Sequence, residues 1–124
     1  MTKTPTRITL NDSAKRGLAK IMVAHCHDSK AAAFRWALWR VAKHVRGNDR
    51  LTLADNLRPA MDRVDQRPGG STWMTRTDST DDQRWRDVAD ALAGVRGASE
   101  VTWSEAANVA IQIAARMVAG PDRR

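Results

Sequence analysis

Polar side chains occupy every second position of a short stretch near the start of the chain. Arg7, Thr9 and Asn11 alternate with the apolar residues Ile8 and Leu10. Alternation of this kind is typical of a half-buried β-strand with its apolar residues on one face and its polar residues on the other. Arg can bond guanine O6 and N7, Asn can bond adenine N6 and N7, and Thr can bond bases or contact a thymine methyl. The spacing therefore predicts a strand whose outer face suits the edges of nucleotide bases.

Two helix starts further along the chain share one pattern. Ser29 and Thr102 each precede a stretch in which alanines recur at the same positions. Ser and Thr are good N-caps, because their side-chain oxygen accepts from a backbone N–H of the first turn. The remaining N–H groups and the positive end of the helix dipole also favour phosphate. The residues predicted to contact phosphate are Ser29, Lys30, Thr102 and Trp103.

The elements that must hold these residues form two units of the same order. The first unit, 1–47, has a strand at 6–11, a helix capped by Asp12 or Ser13, and a helix from Ser29 to about His44 or Val45. The second unit, 72–124, has a strand at 72–77, a helix ending near Gly94 or Gly97, and a last helix from about Thr102. Residues 48–71 connect the two units, with a short helix before the break at Arg67-Pro68-Gly69-Gly70-Ser71.

A single short strand needs a partner for its backbone hydrogen bonds. The two predicted strands can meet this need by pairing antiparallel while the four helices enclose the apolar residues. The expected fold class is therefore mainly α with a short two-stranded antiparallel ribbon. The register of the second strand stays open, because a one-residue slip exchanges its faces. Thr75 and Arg76 are accordingly both candidates for base contact.

Positive charge is concentrated in the first part of the chain. Residues 1–50 hold eleven Lys or Arg against three Asp, whereas residues 72–124 hold seven Arg against eight acidic residues. A positive field attracts polyanions, with nucleic acid as the first expectation and an anionic membrane surface as the second.

Composition and spacing argue against an enzyme, a metal site and a cofactor. His25, Cys26 and His27 are consecutive, so their side chains fan out around a helix rather than converge on one ion. Cys26 lacks an evident third group to orient a histidine for nucleophilic chemistry, and no phosphate-binding glycine loop occurs. A single cysteine fits a reducing compartment, and no stretch approaches the roughly 20 apolar residues of a membrane span. A cytoplasmic location is expected.

The order of strand, helix, turn and hydroxyl-capped helix resembles the ribbon–helix–helix DNA-binding proteins. Their second helix often opens with a pattern like Ser-Arg-Ser-Glu-Ala-Ile-Arg-Glu-Ala-Leu. Residues 29–38 follow it at the first, fifth, seventh, ninth and tenth places, and residues 102–111 at the third, fourth, fifth and ninth. Residues 75–78 also look like that family's strand end. The resemblance implies a tandem member that binds specific double-stranded DNA with a ribbon in the major groove, as a transcriptional repressor or a plasmid or phage DNA accessory protein.

Several alternatives stay open at this point. The family is usually dimeric with one strand per subunit, so the strands could pair within one chain or between two copies. An antitoxin would have the same DNA-binding end and would use residues 48–71 to hold a protein partner. A helical protein-interaction module would instead use its tryptophans as a contact surface. The tryptophans in helical patterns are core or contact residues, or else platforms for base stacking: Trp36, Trp39, Trp85 and Trp103.

Overall fold

Two strands and four helices make up the part of the chain that the computed structural model describes, which is residues 4–25, 29–46, 63–64, 71–97 and 101–118. In chain order they are β1 (Thr4–Leu10), α1 (Asp12–His25), α2 (Lys30–Arg46), β2 (Ser71–Thr77), α3 (Ser79–Arg96) and α4 (Trp103–Val118). The mainly helical fold with a two-stranded antiparallel sheet is as predicted. The predicted helix of the connecting segment lies outside the described residues, apart from Arg63 and Val64. None of the described helices is long and apolar enough to cross a membrane.

The two strands pair antiparallel within the one chain. Arg7 lies opposite Met74, and Ile8 lies opposite Trp73. Residues that are directly opposite in a ladder point to the same face. Ile8 is fully buried whereas Arg7 and Met74 are exposed, so the register directs Trp73 inward and Met74 outward. This is one of the two registers that the sequence left open.

Aromatic rings join the sheet to the helices in the core. Phe34 of α2 packs edge-to-face on Trp85 of α3, with ring centroids 4.9 Å apart, and on Trp73 of β2 at 5.5 Å. Both Phe34 and Trp85 are fully buried, which confirms Trp85 as a core residue. Around these rings α1 packs mainly on α4, and α2 packs on both α3 and α4. Residues from all six elements therefore share one core.

Gly17 lies where α1 packs tightly on α4. A Cβ atom at this position would lie 3.3 Å from both Ala115 Cβ and Ile111 Cγ2. Glycine lowers helix propensity by about 1 kcal/mol relative to alanine, and the close packing explains why it occurs inside α1. Gly97 has a different role, because its φ of 70° gives α3 a left-handed C-cap.

Gly17→Leu tests this helix contact, with Gly94→Leu as the matched control. Gly94 lies in α3, and an added Cβ there would meet nothing within 4 Å. We expect Gly17→Leu to lower the free energy of unfolding by about 2–3 kcal/mol through overpacking. Gly94→Leu should leave it unchanged or raise it by up to about 0.8 kcal/mol. Urea denaturation followed by circular dichroism measures both, and equal stability of the two variants would contradict the close α1–α4 contact.

Candidate nucleic-acid interface

Four of the described side chains lie on the outer side of the sheet, and we call them the ribbon face: Arg7, Thr9, Thr72 and Met74. The register places Arg7 opposite Met74 and Thr9 opposite Thr72. Arg7 and Thr72 are exposed, Thr9 is half-buried, and Met74 keeps 53% of its surface in contact with solvent. The face thus presents one guanidinium, two hydroxyls and one exposed apolar side chain to a partner. Arg7 and Thr9 lie on the face that the sequence predicts.

Asn11 does not belong to the ribbon face, so its predicted contact with bases is wrong. β1 ends at Leu10, and Asn11 is only 6% exposed. Its Oδ1 accepts a hydrogen bond from the Ala14 backbone N–H at 2.8 Å. The alternation of the strand stops one residue earlier than expected, because Asn11 caps α1.

Thr75 also fails as a predicted base contact, because it lies on the inner side of the sheet. Its side chain is 3% exposed, and its Oγ1 has no hydrogen-bond partner among the described residues. The register that turns Met74 outward turns Thr75 inward. Arg76 pairs with Pro5 along the ladder, and its side chain lies outside the described part of the chain, so its predicted contact stays a prediction.

The start of α2 combines a hydroxyl cap with positive charge. Ser29 Oγ accepts from the Ala32 backbone N–H at 3.2 Å, which confirms the predicted cap. Lys30 is exposed, and the first turn of α2 contains no acidic residue. Lys30 also lines a cavity of about 370 Å³ together with Thr72 and Trp73. Lys30 of α2 and Thr72 of the ribbon face therefore border the same cavity.

The start of α4 is closed by its own side chains. Thr102 Oγ1 accepts from the Glu105 N–H at 3.2 Å, which confirms this cap as well. Glu105 Oε1 in turn accepts from the Thr102 N–H at 3.4 Å and from its hydroxyl at 3.0 Å. Trp103 packs edge-to-face on Trp85 at 4.5 Å, and its carbonyl accepts from Trp85 Nε1. The Glu105 carboxylate brings negative charge to this helix start and already accepts from its donors, so this start suits an anion less well than that of α2.

Two polar residues of α4 bind the edge of β1, and neither contact was predicted from the sequence. Ser104 Oγ accepts from the Thr9 N–H at 3.1 Å. The Asn108 amide donates from Nδ2 to the Thr9 carbonyl and accepts at Oδ1 from the Asn11 N–H, each at 2.8 Å. These contacts satisfy backbone groups of a strand edge that would otherwise need another partner. The available signal was an asparagine within the largely apolar run of α4.

The other described helix starts carry acidic residues. α1 begins with Asp12, and α3 has Asp78 as its N-cap with Asp81 and Asp82 in the first turn. Burial raises the pKa of the Asp81 carboxyl above its ordinary value. Among the described helices, α2 is therefore the one whose first turn offers positive charge without a neighbouring carboxylate in that turn.

The remaining tryptophans lie on the surface of the helices. Trp36 is half-buried and packs against the His25 ring with centroids 4.4 Å apart. Trp39 is partly exposed, and Lys43 Nζ lies 5.1 Å from its ring centroid. Cys26 and His27 lie outside the described residues. Within the described ranges, no group of three or more His, Cys, Asp or Glu side chains is placed to hold a metal ion.

Comparison with models of protein families, with curated proteins and with solved structures finds no match for this chain. The candidate interface is therefore defined by its own geometry. It consists of the ribbon face together with the capped start of α2 at Ser29 and Lys30.

Asn108→Ala tests whether α4 holds the ribbon. The variant leaves the Asn11 N–H and the Thr9 carbonyl without their partner, and one unsatisfied buried polar group costs about 1–3 kcal/mol. We expect a loss of about 2–3 kcal/mol in the free energy of unfolding, together with faster amide exchange at Asn11. Gln83→Ala on the exposed side of α3 is the control and should change stability by less than about 0.5 kcal/mol. Denaturation and hydrogen exchange followed by NMR give both readouts, and unchanged protection of the Asn11 amide would contradict the assignment.

Proposed function

We propose that this protein binds specific sequences of double-stranded DNA by inserting its two-stranded ribbon into the major groove. A two-stranded β-ribbon fits the width of that groove. The observation that carries the proposal is the ribbon face itself, on which Arg7 stands exposed beside the half-buried Thr9. A strand pair that served only to cover the core would not need Arg7 and Thr9 side by side on its outer face.

The start of α2 supports the same proposal. Ser29 and Lys30 provide a capped helix N-terminus with positive charge, and Lys30 and Thr72 line one cavity. Contacts to phosphate fix the position of a protein on DNA, whereas contacts to base edges select the sequence. A phosphate bound at Lys30 would hold the duplex against the ribbon face from the β2 side.

We further propose that the chain is a single-chain version of the ribbon–helix–helix arrangement. The element order of strand, helix, helix, strand, helix and helix supports it, as does the pairing of both strands within one chain. Its two halves then contribute unequally to binding. β1 offers Arg7 for guanine, while β2 offers Met74 for apolar contact with a thymine methyl. We therefore expect one chain to read an asymmetric DNA sequence.

Control of transcription, or assembly of a complex on plasmid or phage DNA, is the role that we propose for this binding. The antitoxin alternative depends on residues 48–71, of which only Arg63 and Val64 are described. No described contact of Arg63 or Val64 favours a protein partner over a purely structural role. We therefore propose DNA binding rather than the antitoxin function.

Arg7→Ala tests the base contact directly. The duplex for this measurement is selected from a random pool by the unaltered chain, and affinity is followed by fluorescence anisotropy. Loss of a bidentate contact to guanine costs about 1–3 kcal/mol, so affinity should fall at least about tenfold and preference should relax at one position. Arg86→Ala, an exposed arginine on α3, is the control and should keep its affinity within about twofold. Equal affinities of the two variants would overturn the role of the ribbon face.

Lys30→Ala tests the phosphate contact. Because a phosphate contact is independent of sequence, we expect selected and scrambled duplexes to lose affinity by the same factor. The slope of log affinity against log salt concentration should decrease by about 1. Lys43→Ala removes a lysine further along the same helix and should leave the slope unchanged. An identical slope for Lys30→Ala and the unaltered chain would show that Lys30 does not contact phosphate.

A further inference from the structure

A second concentration of positive charge lies apart from the ribbon face. It surrounds an open cleft of about 290 Å³ between α1, α4 and the short described piece of the connecting segment. None of the four ribbon-face residues lines this cleft. We call it the cationic cleft, and its lining residues are Ser13, Arg16, Gly17, Lys20, Arg63, Gln112, Ala115 and Arg116.

Among the described residues, the lining contains four cationic side chains and no carboxylate. Arg16 and Lys20 come from α1, Arg116 comes from α4, and Arg63 comes from the connecting segment. Like charges that face one cleft repel one another, and a bound anion relieves that repulsion. Three separate parts of the chain thus contribute positive charge to a cleft that has no acidic side chain in its described lining.

Local contacts hold two of these side chains in place. Arg16 Nη2 donates to Ser13 Oγ at 3.1 Å, and Arg116 Nη2 donates to the Arg63 backbone carbonyl at 2.9 Å. A guanidinium has five N–H groups, so each arginine keeps further donors for a ligand. Pre-ordered donors lose less conformational entropy when a ligand binds.

The residues that form the walls of the cleft belong to elements packed on the core. Val64, which follows Arg63, is buried in the core and fixes this piece of the connecting segment against the helices. Gln112 of α4 is only 8% exposed although it lines the cleft. Gly17 contributes no side chain, which lets α1 and α4 approach each other closely at the base. The cationic cleft is thus formed by packed elements rather than by a loose group of surface lysines.

We propose that the cationic cleft binds a phosphate group. Planar guanidinium groups match the geometry of phosphate oxygens and can bond them in pairs. The cleft is wide enough for one or two phosphate groups and too small for a folded domain. The phosphate comes either from a further stretch of the DNA backbone or from a small phosphorylated compound, and both sources use the same chemistry.

The double variant Lys20→Gln/Arg116→Gln tests the proposal on the full chain. Both residues are exposed, so the fold should tolerate the change. The probe is pyrophosphate, titrated by isothermal calorimetry at low salt. We expect saturable binding to the unaltered chain and at least a tenfold weaker affinity for the double variant. Arg86→Gln/Lys43→Gln removes two charges elsewhere on the helices and should bind pyrophosphate like the unaltered chain.

A parallel measurement of DNA affinity identifies the source of the phosphate. If DNA is the source, the double variant loses affinity for duplex, its salt slope decreases by about 2, and pyrophosphate competes with duplex. If a small compound is the source, duplex affinity stays within twofold while pyrophosphate binding is lost. Two results would overturn the proposal, provided that duplex affinity does not change. In the first, pyrophosphate binds the double variant and the unaltered chain equally, and in the second it binds neither. Pyrophosphate binding needs no duplex, so either result is distinguishable from a failure of the proposed DNA binding.

Discussion

Pairing of β1 with β2 is the constraint on which the rest of the structure depends. It joins residues 4–10 to residues 71–77, about half the chain apart, and fixes which side chains share a face. With Ile8 opposite Trp73, the inner side of the sheet joins the aromatic core, and Arg7 and Met74 are left outside. A slip of one residue would bury the Arg7 guanidinium and expose Ile8, and burying an unpaired charge costs far more than the packing of one apolar side chain returns.

The two helices that begin beside the ribbon are related in pattern and differ in chemistry. Ser104 and Asn108 of α4 form hydrogen bonds with β1, and Glu105 accepts a hydrogen bond from the backbone N–H at the start of the same helix. The gap-free alignment of the two helix starts puts Ala31 and Arg35 of α2 where α4 has Ser104 and Asn108. α2 instead adjoins a cavity beside Thr72 and keeps a positive N-terminus. One half of the chain thus stabilises the ribbon while the other half carries the charge suited to a polyanion.

Local rules predicted the elements well, and the failures came from contacts between distant residues. Alternation identified β1, a run of β-favouring residues identified β2, and hydroxyl caps correctly marked Ser29 and Thr102 as helix starts. Asn11 continued the polar alternation, yet capping of α1 took it out of the strand, since Asn serves both roles in sequence. Thr75 could be placed only by the register, which depends on the packing of Trp73 against Phe34. The contacts of Asn108 with Thr9 and Asn11 join residues nearly 100 positions apart, so the asparagine in the apolar run of α4 could signal a polar contact but could not identify its partners.

The central claim is that the outer side of the ribbon contacts DNA, and methyl NMR of the methionines tests it most directly. Met74 lies on the ribbon face, whereas Met117 lies near the end of α4 and packs against the core. On addition of a duplex selected by the chain, we predict a large shift of the Met74 methyl resonance, whereas Met117, the neighbour of Arg116, should shift only if the duplex also reaches the cationic cleft. Saturation of binding with the Met74 resonance unmoved would show that the DNA lies elsewhere, and it would contradict the account.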